Sequence, residues 1–219
     1  MSLEKQVTDQ YSKRIQTEKL YSGGYYVTKV TEELESSIFE LLNKEFSDFK
    51  DLKFLEVGAG NGTNANMFLK FGFQLPNIYF NELLPERIKA IERNFPASKL
   101  FSGNAIEIDF DTKFDVVFQS TVFTSILKPE DRKLLADKMM NLLNPGGIIL
   151  WYDFIYNNPR NKDVRKVDLN EIKELFPASS GVAYKKITLA PPIGRRVGRF
   201  YQLFNIPVLR SHILAVIRK

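Results

Sequence analysis

FLEVGAGNGT, residues 54–63, is the stretch whose reading decides the fold. Phe54, Leu55 and Val57 form a short apolar run that ends in glycines at alternate positions, Gly58, Gly60 and Gly62, with Asn61 between the last two. The apolar run predicts a strand. The glycines predict a tight turn, because glycine takes positive φ without a Cβ penalty and lets a ligand approach the backbone. Residues 63–71 are helix-compatible, so the turn lies at a helix N-terminus, where free N–H groups favour an anionic or electron-rich ligand group. Two families of nucleotide-containing cofactor use strand, glycine loop and helix in this order. Residues farther along the chain must separate them.

Downstream, the pattern alternates. Residues 77–81 (NIYFN) read as a strand ending at Glu82, and 85–95 as a helix stopped by Pro96. Residues 99–102 and 114–119 are strands, and 129–143 is a helix with Pro129 in its tolerated first position. Asn144-Pro145-Gly146-Gly147 is a turn before a strand over 148–152. Strands alternating with helices at this spacing predict a parallel sheet with helices on both faces. After Asp153 the pattern changes. Residues 168–176 read as a helix capped by Asp168 with Glu171 three residues on, and Pro177 follows it. Strands follow at 182–189 and 212–217, separated by 191–209, the length of a loop plus a helix.

Upstream, residues 1–50 are polar and read as two helical pieces. Leu34, Ile38, Leu41, Leu42 and Phe46 form an amphipathic stripe within 31–49. The break between the pieces is Tyr21-Ser22-Gly23-Gly24-Tyr25-Tyr26. It reads either as a lid able to close over a cofactor or as tyrosines packed on the core surface beside a turn. The expected division is an N-terminal helical cap over 1–50 and one α/β domain over 51–219.

A chain of 219 residues supports one well-buried domain. With no cysteine there is no disulfide, thiolate metal site or cysteine nucleophile, and with His212 as the single histidine no His-rich metal cluster, so no metal is expected. The N-terminus has no apolar signal region and no apolar run approaches roughly 18 residues, so a cytoplasmic protein is expected. The net charge of +5 is unevenly placed. From Arg195 onward come Arg195, Arg196, Arg199, Arg210, Arg218 and Lys219 without one acid. Such a segment suits nucleic acid, anionic lipid or an anionic substrate, or is simply solvated.

Other positions sharpen the glycine loop. Glu82 lies 82 − 58 = 24 residues after the first glycine, about where an acid meets an adenosine ribose in doubly wound folds; the alternative is a surface glutamate. Asn104, in Gly103-Asn104-Ala105, has the donor and acceptor that an adenine edge requires; the alternative is a turn asparagine.

FLEVGAGNGT, NELLPERIKA, SGNA, FDVVFQSTVFTSI and LLNPGGIILWYDF, in this order, resemble the successive motifs of class I S-adenosylmethionine-dependent methyltransferases over residues 50–155. The loop lacks the GxGxxG spacing of dinucleotide-binding dehydrogenases, since position 63 is Thr. The resemblance implies a Rossmann-like, doubly wound seven-stranded sheet with the last strand antiparallel, S-adenosyl-L-methionine as cofactor and S-adenosyl-L-homocysteine as product. It implies that Glu56 opens the first motif and that Gly58, Ala59, Gly60, Asn61 and Gly62 pass under the methionine part. Glu82 would take the ribose and Asn104 the adenine, where the family often has Asp. Leu83, Ala105 and Ile106 would pack on the adenine, with Gln119, Ser120 and Thr121 beside the sulfonium. The carboxyl-terminal third, WYDFIYNNPRNKDVRKVDLNEIKELFP and ITLAPPIGRR, resembles bacterial methyltransferases of surface polysaccharide and glycan synthesis. That implies a sugar hydroxyl on a nucleotide-linked, lipid-linked or polymeric acceptor, and an enzyme that is cytoplasmic or peripheral to the inner membrane.

A hydroxyl acceptor must lose a proton, so a base within hydrogen-bond reach helps. Strand ends at the carboxyl edge of the sheet face the ligand crevice. This makes Asp153 the preferred base or orienting group, beside Tyr152, with His212 as a second candidate. Arg160 and Arg165 suit an anionic acceptor, and Tyr25 and Tyr26 lie in the segment expected near the acceptor. Residues 193–209 read either as a helix packed on the sheet or as a basic amphipathic helix in peripheral contact with a membrane. The leading reading is an O-methyltransferase for a glycan or other small hydroxylated acceptor. Its competitors are an RNA methyltransferase, suggested by the basic tail but lacking an NPPY-like signature, and a non-catalytic cofactor-binding subunit. Nucleic acid is not the expected partner.

Overall fold

The computed structural model describes residues 3–18, 24–157 and 161–219. Seven strands, β1 (Phe54–Val57), β2 (Ile78–Glu82), β3 (Lys99–Ser102), β4 (Phe114–Ser120), β5 (Leu143–Phe154), β6 (Gly181–Leu189) and β7 (Arg210–Arg218), make one sheet. Their order is β3-β2-β1-β4-β5-β7-β6. β1 pairs in parallel with β2 and β4, β2 with β3, and β4 with β5. β7 runs antiparallel to both β5 and β6. This is the doubly wound sheet with a reversed last strand. The winding changes direction between β1 and β4, and there the carboxyl ends of the strands open a ligand crevice.

The helices are α1 (Leu3–Glu18), α2 (Tyr25–Glu45), α3 (Ala65–Phe71), α4 (Pro85–Asn94), α5 (Pro129–Leu142), α6 (Leu169–Leu175), α7 (Pro191–Val197) and α8 (Tyr201–Phe204). β1 and β2 are buried at every position, as expected of parallel strands covered on both faces. On one face, Leu135 and Met139 of α5 and Ile172 of α6 pack against Val117, Ile149 and Trp151. On the other, Ile38, Leu41 and Leu42 of α2, Phe68 of α3 and Ile91 of α4 pack against Phe54, Phe80 and Phe118. The Phe54 and Phe68 rings lie 4.1 Å apart. Burying one such side chain stabilises the fold by about 1.5–3 kcal/mol. The stripe predicted on α2 thus faces the sheet, with Leu34 and Phe46 partly buried at its ends.

Three local expectations change. α2 starts at Tyr25, ahead of its apolar stripe, because Gly24 at φ +93 turns the chain directly into the helix. The 144–147 turn becomes a bulge within β5: Leu143 opposes Phe114 and the next pair is Val116 with Ile148. Gly147 is required there, since a Cβ would sit 3.0 Å from both Asn144 O and Phe114 O. The continuous helix suggested by 193–209 does not form. Gly198 at φ +49 separates α7 from α8, and 3-10 turns fill the rest. No helix among the described residues is long and apolar enough to cross a membrane.

Candidate cofactor and acceptor site

Three glycines give the loop after β1 its path, Gly58, Gly60 and Gly62 at φ +63, +60 and +76. A Cβ on Gly58 would lie 2.6 Å from Val122 Cγ2, and one on Gly62 would lie 2.9 Å from the Phe95 ring. β2 ties the loop down. Ala59 N donates to Asn81 O at 2.9 Å, Gly60 N to Glu82 Oε2 at 2.6 Å, and Gly58 N to Asn81 Oδ1 at 3.4 Å. The Asn81 side-chain amide reaches the other way, to Gly103 O at 2.9 Å and Phe101 O at 3.3 Å. Asn81 is therefore a crossbar between the first and third strand ends, a role the sequence reading missed. Its signal was a polar residue at the buried end of the strand NIYFN.

Glu56 is fully buried in β1. Asn64 donates to its Oε1 at 2.7 Å, while Oε2 has no partner. Burial, opposed by the Asn64 bond and reinforced by the negative charge of Glu82, pushes the carboxyl up to about 8. A buried carboxylate oxygen without a donor is costly, so this oxygen lacks the cationic or N–H partner that would offset its burial. Glu82 is more fully engaged: besides Gly60 N, its Oε1 accepts from Leu83 N at 2.8 Å and Leu84 N at 3.0 Å, at the start of α4. Of about four acceptor positions on a carboxylate, three are used.

The structure gathers Gly58, Glu82, Leu83, Asn104 and Ala105 around one cleft, with Val122 beside them. Asn104 Oδ1 accepts from Ile106 N at 3.1 Å, so the turn alternative holds for its oxygen while the residue still lines the cleft. Leu3 and Val7 of α1 complete the wall, and Gln6 Nε2 donates to Ser125 O at 3.0 Å. α1 thus covers the cleft, whereas the sequence directed attention to 21–26. Tyr21, Ser22 and Gly23 of that segment lie outside the described residues. In the glycine loop, Ala59 is buried and Asn61 exposed.

At the end of β4, Gln119 is fully buried. It accepts from Val122 N at 3.0 Å and donates to Tyr152 O at 3.4 Å, holding the turn from inside. Ser120 and Thr121 are partly exposed. Thr121 has φ 59 and Thr188, at the end of β6, has φ 66. β-branched residues in the left-handed region cost on the order of 1–3 kcal/mol and concentrate at functional edges.

Of the three catalytic candidates, the structure brings Tyr152 and His212 together and turns Asp153 away from them. Consecutive strand residues point to opposite faces, and the partners of Tyr152 and Asp153 differ accordingly. Asp153 is fully buried beside α5, its Oδ2 accepting from Thr124 N at 3.3 Å and its Oδ1 from Phe154 N at 3.0 Å. Burial raises its pKa to about 7, against the pull of those bonds and of Arg132. Tyr152 donates to or accepts from Thr188 Oγ1 at 2.9 Å, and burial raises its phenol pKa. His212 stacks on Tyr152 at 4.8 Å and 8°, and its Nδ1 meets Ser211 Oγ at 3.0 Å. Burial lowers its pKa to about 3, which keeps it neutral.

Arg165 is drawn to Glu171 at 2.5 Å, and the same carboxylate oxygen takes fully buried Arg132 at 2.5 Å. The predicted capping box is therefore half built: Asp168 accepts from Glu171 N, but the Glu171 side chain turns to the arginines. Arg160 lies outside the described residues. Tyr26 packs against Gly194, donates to Leu189 O at 2.8 Å and lies under the Arg195 guanidinium at 5.9 Å. Tyr25 is 45% exposed next to it.

Residues 55–151 match the protein family described as "Methyltransferase domain". No curated protein matches the chain. Among solved structures, the glycopeptide N-methyltransferase MtfA complexed with S-adenosylmethionine is 15% identical, with a TM-score of 0.60 over 84% of this chain and 87% of that one. DesVI of Streptomyces venezuelae is 15% identical, with a TM-score of 0.60 over 95% and 98%. An S-adenosylmethionine-dependent methyltransferase from Clostridium acetobutylicum is 12% identical, with a TM-score of 0.62 over 96% and 98%.

Proposed function

We propose that this S-adenosylmethionine-dependent methyltransferase, with the class I fold and a methyltransferase domain over residues 55–151, methylates a hydroxyl of a glycan or another small acceptor. The observation that carries the donor half is the partnerless Glu56 Oε2, buried beneath the glycine loop. The α-ammonium of S-adenosylmethionine supplies the cation it lacks. Gly58 and Gly60 give the donor a path along the backbone, and Glu82, already fixing Gly60 N, has acceptor capacity for a ribose hydroxyl. Asn104, Leu83 and Ala105 form the adenine wall. The bound donor supplies an electrophilic methyl on a sulfonium, with S-adenosylhomocysteine as product, and the protein holds the acceptor oxygen in line with it, an effect worth about 7–11 kcal/mol.

Asp153 acts as a positioning residue in this reading. Its oxygens hold the Thr124 and Phe154 amides, and so the turn carrying Ser120 and Thr121. Residues 1–50 form the cap, with α1 over the donor cleft and the start of α2 beside α7. Support for a glycan acceptor comes from the exposed Tyr25, which offers a sugar an apolar face and a phenol tip, beside a Tyr26 ring lying under Arg195 with its hydroxyl held by Leu189 O. The likeness of the carboxyl-terminal third to methyltransferases of bacterial surface polysaccharide synthesis adds to it and favours a cytoplasmic setting. Titration calorimetry with S-adenosylhomocysteine tests the donor, and its failure to bind wild-type protein would sink the reading. Mass spectrometry of hydroxylated glycans incubated with labelled donor tests the acceptor. Label appearing only on amines or RNA would replace the hydroxyl.

A further inference from the structure

Half of the large exposed hydrophobic residues of the described chain fall within nine positions: Phe200 at 53%, Leu203 at 73%, Phe204 at 40%, Ile206 at 47% and Val208 at 73%. They lie in the connection between β6 and β7. That connection leaves β6 at Leu189 and enters β7 beside Phe154, so it sits at the carboxyl edge of the sheet, the edge that carries the donor cleft. Exposed Arg195, Arg196 and Arg199 precede the apolar group, and no acid follows Glu174 in the chain.

The exposure is imposed from beneath. Tyr201 is fully buried and its hydroxyl donates to Glu33 at 2.8 Å and accepts from Leu189 N at 3.2 Å. Asn205 donates to Glu33 at 2.8 Å, and Arg210 reaches both the side chain and the backbone oxygen of Asn205 at 3.0 Å. Gly194 is buried against the Tyr26 ring, where a Cβ would come within 2.2 Å of it. Glu33, the acid bonded to this segment, is turned inward against Tyr201 and Thr188 N. Its charge is turned inward, and the exposed side chains of 195–208 are arginines, Gln202 and apolar tips.

We infer that residues 195–208 form a docking surface for an anionic lipid bilayer. Arginines beside apolar side chains on one face match anionic headgroups at the level where acyl chains begin. The charge argues against the other occupants. A second copy related by a two-fold axis would bring Arg195, Arg196 and Arg199 against their own counterparts. Single-stranded nucleic acid would stack on Phe200 and Phe204 but would leave Leu203 and Val208, the most exposed side chains of the group, without a partner. Docked in this way, the donor edge of the sheet faces the membrane. The glycan reading above then becomes one of an acceptor carried at a lipid surface, a consequence that rests on that reading while the docking does not.

Co-sedimentation of the full chain with vesicles of phosphatidylcholine, with and without phosphatidylglycerol, tests the proposal. The expected result is pelleting with the anionic vesicles at low salt and release at high salt. Replacing Arg196 and Arg199 by glutamine should weaken pelleting by on the order of thirtyfold, and Leu203→Asp with Val208→Asp should abolish it. Both variants should keep wild-type affinity for S-adenosylhomocysteine, which establishes that they fold. Equal pelleting with neutral and anionic vesicles, none with either, or variants that pellet like wild type overturn the proposal. So does a dimer in sedimentation velocity, or tight RNA retention on filters, that these variants abolish. Vesicle binding without S-adenosylhomocysteine binding would instead remove the methyltransferase reading and leave the docking surface standing.

Discussion

The half of the sheet around β1, β2 and β3 and the half around β5, β6 and β7 are held together in different ways. In the first, the contacts that shape the site are short in sequence. Glu56 and Asn64 are 8 residues apart, and Glu82 and Asn81 reach Gly60 and Gly103 across 22. Most end on backbone groups. In the second, side chains reach across most of the chain: Tyr26 to the Leu189 carbonyl over 163 residues, Tyr201 to Glu33 over 168 and Asn205 to Glu33 over 172. The donor half is a backbone conformation dictated by glycines. The half around β5, β6 and β7 is a set of long-range bonds that exists only once α2 has docked.

That contrast breaks most directly at Gly58. Gly58→Val drives a side chain into Val122 and strains a residue at φ +63, costs of about 1–3 kcal/mol each. Affinity for S-adenosylhomocysteine should fall about a hundredfold or more, while calorimetric unfolding still shows one cooperative transition. An unchanged affinity would mean that the loop is not the donor seat.

Asp153 tests the boundary between the halves. Asp153→Asn sets an amide N–H₂ against one of two backbone donors and should destabilise the protein by about 1–3 kcal/mol in denaturant unfolding. Turnover per folded molecule should change little. Lost turnover with unchanged stability would make Asp153 the base instead.

Glu56 gives the donor half a pH dependence. Its carboxyl, raised to about 8 in the folded protein, is mostly protonated at lower pH, while pairing with an ammonium requires the carboxylate. Affinity for S-adenosylhomocysteine should therefore rise with pH, by up to about tenfold per unit, until near pH 8, where the ligand's own α-amino group begins to lose its proton. Glu56→Gln should flatten that rise in calorimetric titrations. Because the folded-state pKa lies above the unfolded one, the stability contributed by the protonated group is full below the unfolded value of 4.5 and is lost as pH rises through about 8. The variant should thus gain melting temperature on wild type between those limits.

Tyr26→Phe carries the smallest expected effect. It leaves Leu189 O without its donor, a loss of about 1 kcal/mol in unfolding free energy, with donor affinity unchanged. A large drop in donor affinity would show that the two halves are coupled.

The sequence was most legible where structure is local. FLEVGAGNGT announced β1 and its turn, and the strands, the α4 and α5 starts at proline and the Asp168 cap fall where propensity and capping place them. Glu82, Leu83, Asn104 and Ala105 meet at one cleft as the motif order implied. Asn81 escaped notice because a buried amide linking two strand ends has no local pattern. α1 escaped because its cover over the cleft depends on Leu3 and Val7 meeting residues from Gly58 to Leu135, more than fifty positions away. Asp153 and His212 looked alike as strand-end polar residues. Only the alternation of β5 and the closing of both faces turned them into buried partners of Thr124 on one side and Tyr152 on the other.

By itself, then, the sequence determined the doubly wound sheet and the glycine path of the loop after β1, because hydrophobic period and positive φ are properties of neighbouring residues. The tertiary structure alone decided that Glu56 keeps an unpaired oxygen, that Glu33 is spent inward, and that Phe200, Leu203, Phe204, Ile206 and Val208 face outward. Burial and hydrogen-bond partnership belong to groups that meet only when distant segments pack.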